Sequence, residues 1–289
     1  LFVFLSFGMA AVCGTYYVQA GNIPPTAWWA SFPLGLLIVN ILVVNKDVEA
    51  LREDFQTASL AGDAPPLLWT VADHIGPFTA ADLILPLDDM VDRASFVPAA
   101  ADIVTADGTL WGAPVSFGDQ LMLYWNKAIA GATPPADSDA WVAQAKELTT
   151  GDQFGIVYNQ TESFWLIPFL GGFGGRVFAE DGVTPTLNTP AMVSTLQFKY
   201  DLKFTDAVMP AEADYVVADT LFKEGKAAFT INGDWTLGAY AEALGDNLGV
   251  GPLPMLTGFD YPKPYIAGTF IMASKAVGED ADLKTVVAD

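Results

Sequence analysis

The first 45 residues carry no Asp, Glu, Lys, Arg or His; all 13 basic and 34 acidic residues lie from Lys46 onward. A boundary this sharp constrains the chain more than any motif, because it divides an apolar piece from one with the composition of a water-soluble domain. The first piece holds two apolar runs, "LFVFLSFGMAAVCGTYYVQ" and "PTAWWASFPLGLLIVNILVVN". Each has about the 20 residues needed to cross a bilayer. "AGNIPP" between them suits a turn, and Trp28 and Trp29 sit near one end of the second run, where interfacial rings belong. The expectation is an apolar, transmembrane-like α-helical hairpin over residues 1–45. A signal peptide would instead show a basic start and one short apolar run.

The 289 residues suffice for one large or two ordinary domains. A net charge of −21 disfavours nucleic acid and anionic lipid, both of which are gripped through Lys and Arg. Cys13 and His74 are the single cysteine and histidine. No Cys/His metal cluster and no disulfide within the chain can be built from them, and no metal or cofactor is expected. A Ser-His-Asp centre would have to use His74, yet no G-x-S-x-G turn accompanies it.

From Lys46 onward, strand-like and helix-like segments alternate, which argues for an α/β fold. "KDVEALREDFQTASLAG" places Val48, Leu51, Phe55 and Ala58 at helical spacing, with Gly62 as a stop. "APPLLWTVA", "LMLYWNK", "FGIVYN" and "LGVGPLPM" read as strands. "DSDAWVAQAKELTT" reads as a helix with Asp137, Ser138 or Asp139 near its N-cap, and "TPAMVSTLQFKYDLKF" as a helix with Pro190 in its first turn. "FKEGKAAFTINGDW" reads as turn, strand, tight turn and a delivered ring, Trp235. "GGFGG" lacks the Lys-Ser/Thr of a phosphate loop and fits a helix-ending loop of close backbone approach.

Two constellations stand out. Asp73 and His74 fall where a strand should end, a position at which open α/β sheets place ligands and which equally suits a solvated loop. Glu162 precedes Phe164 and Trp165; rings beside a carboxylate suit the apolar faces and hydroxyl pairs of a sugar. Helix core is an equal reading for those two rings. Paired carboxylates could also hydrolyse a glycoside, but among 34 acids no pair can be chosen from spacing.

Two family resemblances follow. "VCGTYYVQAG" with "SFPLGLLIVNILVVN" resembles a fragment of the quinone-biosynthesis polyprenyltransferases of the dihydroxynaphthoate type. The Arg-Asp-x-x-x-Asp motif expected next is replaced by "VVNKDVEALREDFQ", so no such activity is inferred even though Asp47 and Asp54 are present. Residues 46–289 resemble the extracellular solute-binding proteins of ABC importers, maltose-binding type. The resemblance rests on "PPLLWTVADHIGPF", "LILPLDDMVD", "DGTLWGAPVS", "FGIVYNQTESFW", "TLNTPAM" and, most specifically, "LFKEGKAAFTINGDW".

This second resemblance implies a two-lobed periplasmic-binding fold of type II and no catalysis. It places the first lobe at 46–115, the second at 116–250 and a return to the first at 251–289. It implies a sugar held between lobes, by Trp69, Asp73 and His74 of the first and by Asp119, Glu162, Phe164, Trp165 and Trp235 of the second, with Trp235 as the stacking ring. The implied partners are a carbohydrate and ABC permease subunits in the membrane, and the implied state is an extracytoplasmic monomer. Beside the prenyltransferase resemblance, the expectation is a fused and incomplete binding protein of poor solubility. The rivals are a glycoside hydrolase and, for the N-terminal piece, a membrane polyprenyltransferase fragment.

Overall fold

The computed structural model describes residues 16–21, 41–46 and 48–288. In chain order the strands are β1 (Tyr16–Gly21), β2 (Ile41–Lys46), β3 (Leu67–Val71), β4 (Thr105–Ala106), β5 (Thr109–Leu110) and β6 (Ala113–Gly118). They continue with β7 (Leu121–Asn126), β8 (Phe154–Tyr158), β9 (Ala227–Gly233), β10 (Leu248–Gly251) and β11 (Ala267–Ala273). The chain divides into two compact units, Leu1–Gly118 with Ala267–Asp289, and Asp119–Ile266.

Unit 1 is built on a five-stranded sheet of order β2-β1-β3-β11-β6. β1 runs parallel to both β2 and β3, while β11 runs antiparallel to β3 and β6. The helix Val48–Ala61 packs against β1 and β3. Leu51 and Phe55, one turn apart and therefore on one face, are fully buried beside Leu68, Phe78 and Phe270. Gly62 ends that helix at φ +80°, in the left-handed conformation that only glycine adopts without side-chain strain.

The expected α-helical hairpin is corrected where it can be seen. Tyr16–Gln19 of the first apolar run lie in β1, and Ile41–Asn45 of the second lie in β2, paired with β1 from Tyr16↔Ile41 to Gly21↔Lys46. The reason is local. "YYV" and "ILVV" are aromatic and β-branched, side chains that favour a pleated backbone over a helix. β2 also runs through the Asn45–Lys46 step, so the jump in charge marks no structural boundary. The rest of both runs, with Cys13, Trp28 and Trp29, lies outside the described residues. Among the described residues no helix is long and apolar enough to cross a membrane.

Unit 2 holds a four-stranded sheet of order β10-β7-β9-β8. β9 is antiparallel to β7 and parallel to β8, and all seven of its residues are buried. A strand covered on both faces needs a near-continuous small and apolar run, and "AAFTING" is one. Of the three cap candidates the helix Ser138–Leu148 uses Asp137, whose carboxylate accepts the Ala140 N–H at 2.9 Å. The helix Pro190–Tyr200 starts on Thr189 with Pro190 in its first turn, and continues into a wider turn over Asp201–Thr205. Within "GGFGG", Gly174 takes φ +85° just past the helix Ile167–Gly172, and the Gly175 N–H closes back on the Leu170 carbonyl at 2.8 Å.

Candidate functional site

One edge of the unit 2 sheet collects three chain ends. β8 and β9 are parallel and finish there; β7 is antiparallel and starts there, with Leu121 opposite Gly233. The loops that follow β8 and β9 and the residues that precede β7 therefore meet, the position at which open α/β sheets hold ligands. Glu162, Phe164 and Trp165 follow β8, Asp234 and Trp235 follow β9, and Asp119 precedes β7.

The rings form one cluster. Trp165 sits 5.5 Å from Phe164 and 6.5 Å from Trp235, the latter at 87°, an edge-to-face contact. Phe164 and Trp235 are 6.3 Å apart. Within the cluster the roles differ. Trp165 is only 4% exposed and its Nε1 donates to the Ile231 carbonyl at 3.0 Å, so it is a floor. Trp235 is 40% exposed and is the ring turned toward solvent. It is held from two sides. Its Nε1 donates to the Tyr215 hydroxyl at 3.1 Å, and its ring lies over Gly233, where an added Cβ would fall 1.9 Å from Trp235 Cζ3. The Gly in "INGDW" is thus required so that the ring can fold back on the strand end.

Beneath the turn, the Gly233 carbonyl accepts the hydroxyls of Tyr124 and Thr236, each at 2.8 Å. Asn232 donates to the Tyr240 hydroxyl at 2.8 Å. These buried, satisfied bonds fix the backbone that aims Trp235. Burial first, and then Asp234 and Tyr215, push the Tyr124 hydroxyl up to about 12, so it stays a neutral donor.

The acids are arranged differently from the rings. Glu162 is exposed, and its Oε1 accepts from Asn159 Nδ2 at 2.6 Å, which orients it beside Phe164. Asp119 is half-buried at φ +47°, and its N–H donates to Asp234 Oδ2 at 3.0 Å. Burial raises the Asp119 carboxyl above its usual range, and the negative charge of Asp234 raises it further.

The expected unit 1 residues lie on and after β3. Trp69 is half-buried in the strand and Asp73 is exposed just past it. His74 points inward: it is 2% exposed, its Nδ1 is 2.6 Å from Thr70 Oγ1, and its ring lies 5.4 Å from Phe78. Burial, and then the positive charge of Arg52, lower its pKa to about 4, so at neutral pH it is an uncharged core imidazole.

Sequence reasoning passed over Asp234 and Tyr215. Asp234 stood in the quoted motif beside Trp235. Tyr215 carried no local signal, because only the fold brings its helix, Tyr215–Lys223, onto the Trp235 ring. Among the described residues no cluster of three or more His, Cys, Asp or Glu could hold a metal.

Comparison with known proteins decides the family. The model of the bacterial extracellular solute-binding proteins matches residues 38–284. The chain belongs to that family. The match begins before Lys46, so residues 38–45 are part of the solute-binding sequence; the prenyltransferase resemblance draws no support. A maltose/maltodextrin-binding domain from Bdellovibrio bacteriovorus, solved with maltotriose, is similar at TM-score 0.80 and 34% identity, over 86% of this chain and 67% of that one. A Thermus thermophilus maltotriose-binding protein, also solved with maltotriose, is similar at TM-score 0.75 and 27% identity, over 86% and 69%. Among curated relatives, the maltotriose-binding protein of Pyrococcus abyssi is 25% identical over 78% of this chain and 50% of its own length. The maltodextrin-binding protein MdxE of Bacillus subtilis is 28% identical over 83% and 60%. This solute-binding chain thus spans about half the length of the curated relatives it matches. Its fold is the α/β fold of maltose-binding-type proteins.

Proposed function

We propose that the chain is the sugar-capturing part of an extracytoplasmic solute-binding protein that delivers a malto-oligosaccharide to an ABC importer. The observation that carries this is Trp235. A large ring is left 40% exposed at the strand-end edge of unit 2, braced by Tyr215, Trp165 and the bare backbone of Gly233. A core ring needs no such bracing in the open, whereas a platform for a sugar's apolar face does. Glu162 and Asp119 flank the rings as acceptors for hydroxyl pairs.

Names of relatives add support: two solved relatives are described as bound to maltotriose, and two curated relatives are named for maltotriose and maltodextrin. Trp69 and Asp73, on and just after β3, are proposed as sugar contacts of unit 1. His74, buried against Phe78, is proposed to support the Asp73 turn and not to touch sugar. The chain is proposed to be non-catalytic, so incubation with maltotriose should release no reducing sugar.

The test is calorimetric titration with maltotriose. Replacing Trp235 by Ala should weaken binding by about 1–3 kcal/mol while the circular dichroism spectrum is kept. Unchanged affinity in a folded Trp235→Ala variant would sink the assignment.

A further inference from the structure

We propose that Asp234 is a positioning residue for sugar capture: it holds Asp119 at the strand-end edge of unit 2 and sets the pH below which sugar affinity falls. This rests on the sugar-binding reading above.

The placement follows from strand register. Leu121 pairs with Gly233 across the antiparallel β7–β9 ladder. Continuing that register outward by two places brings Asp119 level with the Asp234–Trp235 step. Asp119 is the first residue of unit 2 and takes a left-handed backbone at φ +47°, a conformation unfavourable for any residue but glycine and only tolerated by Asp. What holds it there is the bond from its N–H to Asp234 Oδ2 at 3.0 Å, a charge-assisted contact between residues 115 apart in sequence. Asp234 is itself fixed, because it opens the turn whose Gly233 carbonyl is anchored by Tyr124 and Thr236.

The same contact sets the Asp234 carboxylate beside Asp119 without a counter-ion. No ion pair to Asp119 or Asp234 occurs among the described residues of unit 2. The other titratable groups around them supply no positive charge: β7 brings the neutral phenol of Tyr124, and the helix Tyr215–Lys223 brings neutral Tyr215 and the internally paired Asp219–Lys223. Burial and the Asp234 charge therefore both favour a proton on Asp119. A sugar hydroxyl pair, in contrast, donates into an ionised carboxylate. Sugar binding and proton binding at Asp119 then compete, and affinity drops by up to tenfold per pH unit below the titration of Asp119.

The experiment follows maltotriose affinity of the full chain from pH 4 to pH 8 in the wild type, Asp234→Asn and Asp234→Ala. It is paired with carboxyl 13C titration of Asp119 without sugar. Asp234→Asn keeps an oxygen for the Asp119 N–H but removes the charge. Its neutral-pH affinity should stay within about threefold, and the acid fall should move to lower pH together with the Asp119 midpoint. Asp234→Ala loses the acceptor as well and should lose at least about tenfold in affinity at every pH. An acid fall and an Asp119 midpoint unchanged by Asp234→Asn would overturn the electrostatic role; wild-type affinity in Asp234→Ala would overturn the holding role. A wild type that binds no maltotriose at any pH would refute the sugar-binding reading instead, and the sugar-free titration would still show whether Asp234 controls Asp119.

Discussion

His74 offers the sharpest test of how the unit 1 edge is built. Its ring is 2% exposed, bonded at Nδ1 to Thr70, with no partner for Nε2 among the described residues, and its pKa is lowered from 6.5 to about 4. A histidine whose folded pKa lies below its unfolded value binds a proton more readily when unfolded. Its contribution to stability is therefore complete above pH 6.5 and is lost as pH falls through the window from 6.5 to about 4. The gap between those values, at about 1.36 kcal/mol per pH unit, sets a limit of about 3 kcal/mol. Screening by water near the sheet edge reduces this to about 2 kcal/mol. Urea unfolding at pH 7 and at pH 4 measures it, with His74→Gln as the reference that cannot titrate. Wild type should lose about 2 kcal/mol more than His74→Gln across that interval, since the other acids titrate in both. Equal losses would refute the reasoning. So would a His74 proton resonance titrating near 6.5, which would return the ring to the surface and to the ligand contacts suggested by the sequence.

Other expectations follow from the unit 2 edge. Gly233→Ala places a Cβ inside the Trp235 ring, so it should displace the indole, shift its fluorescence and lower maltotriose affinity about as far as Trp235→Ala does; an unmoved spectrum would deny that the ring rests on Gly233. Trp165→Ala removes a 4% exposed indole and strands the Ile231 carbonyl, so a loss of about 3–5 kcal/mol is expected in urea unfolding, against well under 1 kcal/mol if the ring were a surface contact. Asp137→Ala removes a helix cap from Ala140 and should cost about 1 kcal/mol in the same assay, leaving sugar affinity unchanged.

The two tryptophans beside Glu162 and Asp234 show how far local pattern reaches. Both are ring candidates by motif, and composition alone leaves Trp165 open between sugar face and core. The structure divides them, because Trp165 turns its N–H down to Ile231 while Trp235 is lifted by Gly233 and tied to Tyr215. No spacing rule separates these cases, since the deciding atoms come from strands and helices distant in sequence. His74 illustrates the same limit from the other side. A strand-end position suggested a polar loop, and the turn Ala72–His74 instead rolled the imidazole under Phe78. Tyr16–Gly21 and Ile41–Lys46 depart from the expected helices for a different reason: hydropathy reports that a run avoids water, not which secondary structure it takes.

Periodicity and short motifs sufficed for the α/β alternation, an N-cap among Asp137, Ser138 and Asp139, Pro190 in a first helical turn, a strand in "KAAFTING" and the family. Packing settled which ring faces outward, that His74 is core, and that the Asp119 N–H meets Asp234. Those facts depend on strand register and on the order β10-β7-β9-β8, which join residues more than 100 positions apart and leave no trace in any local window.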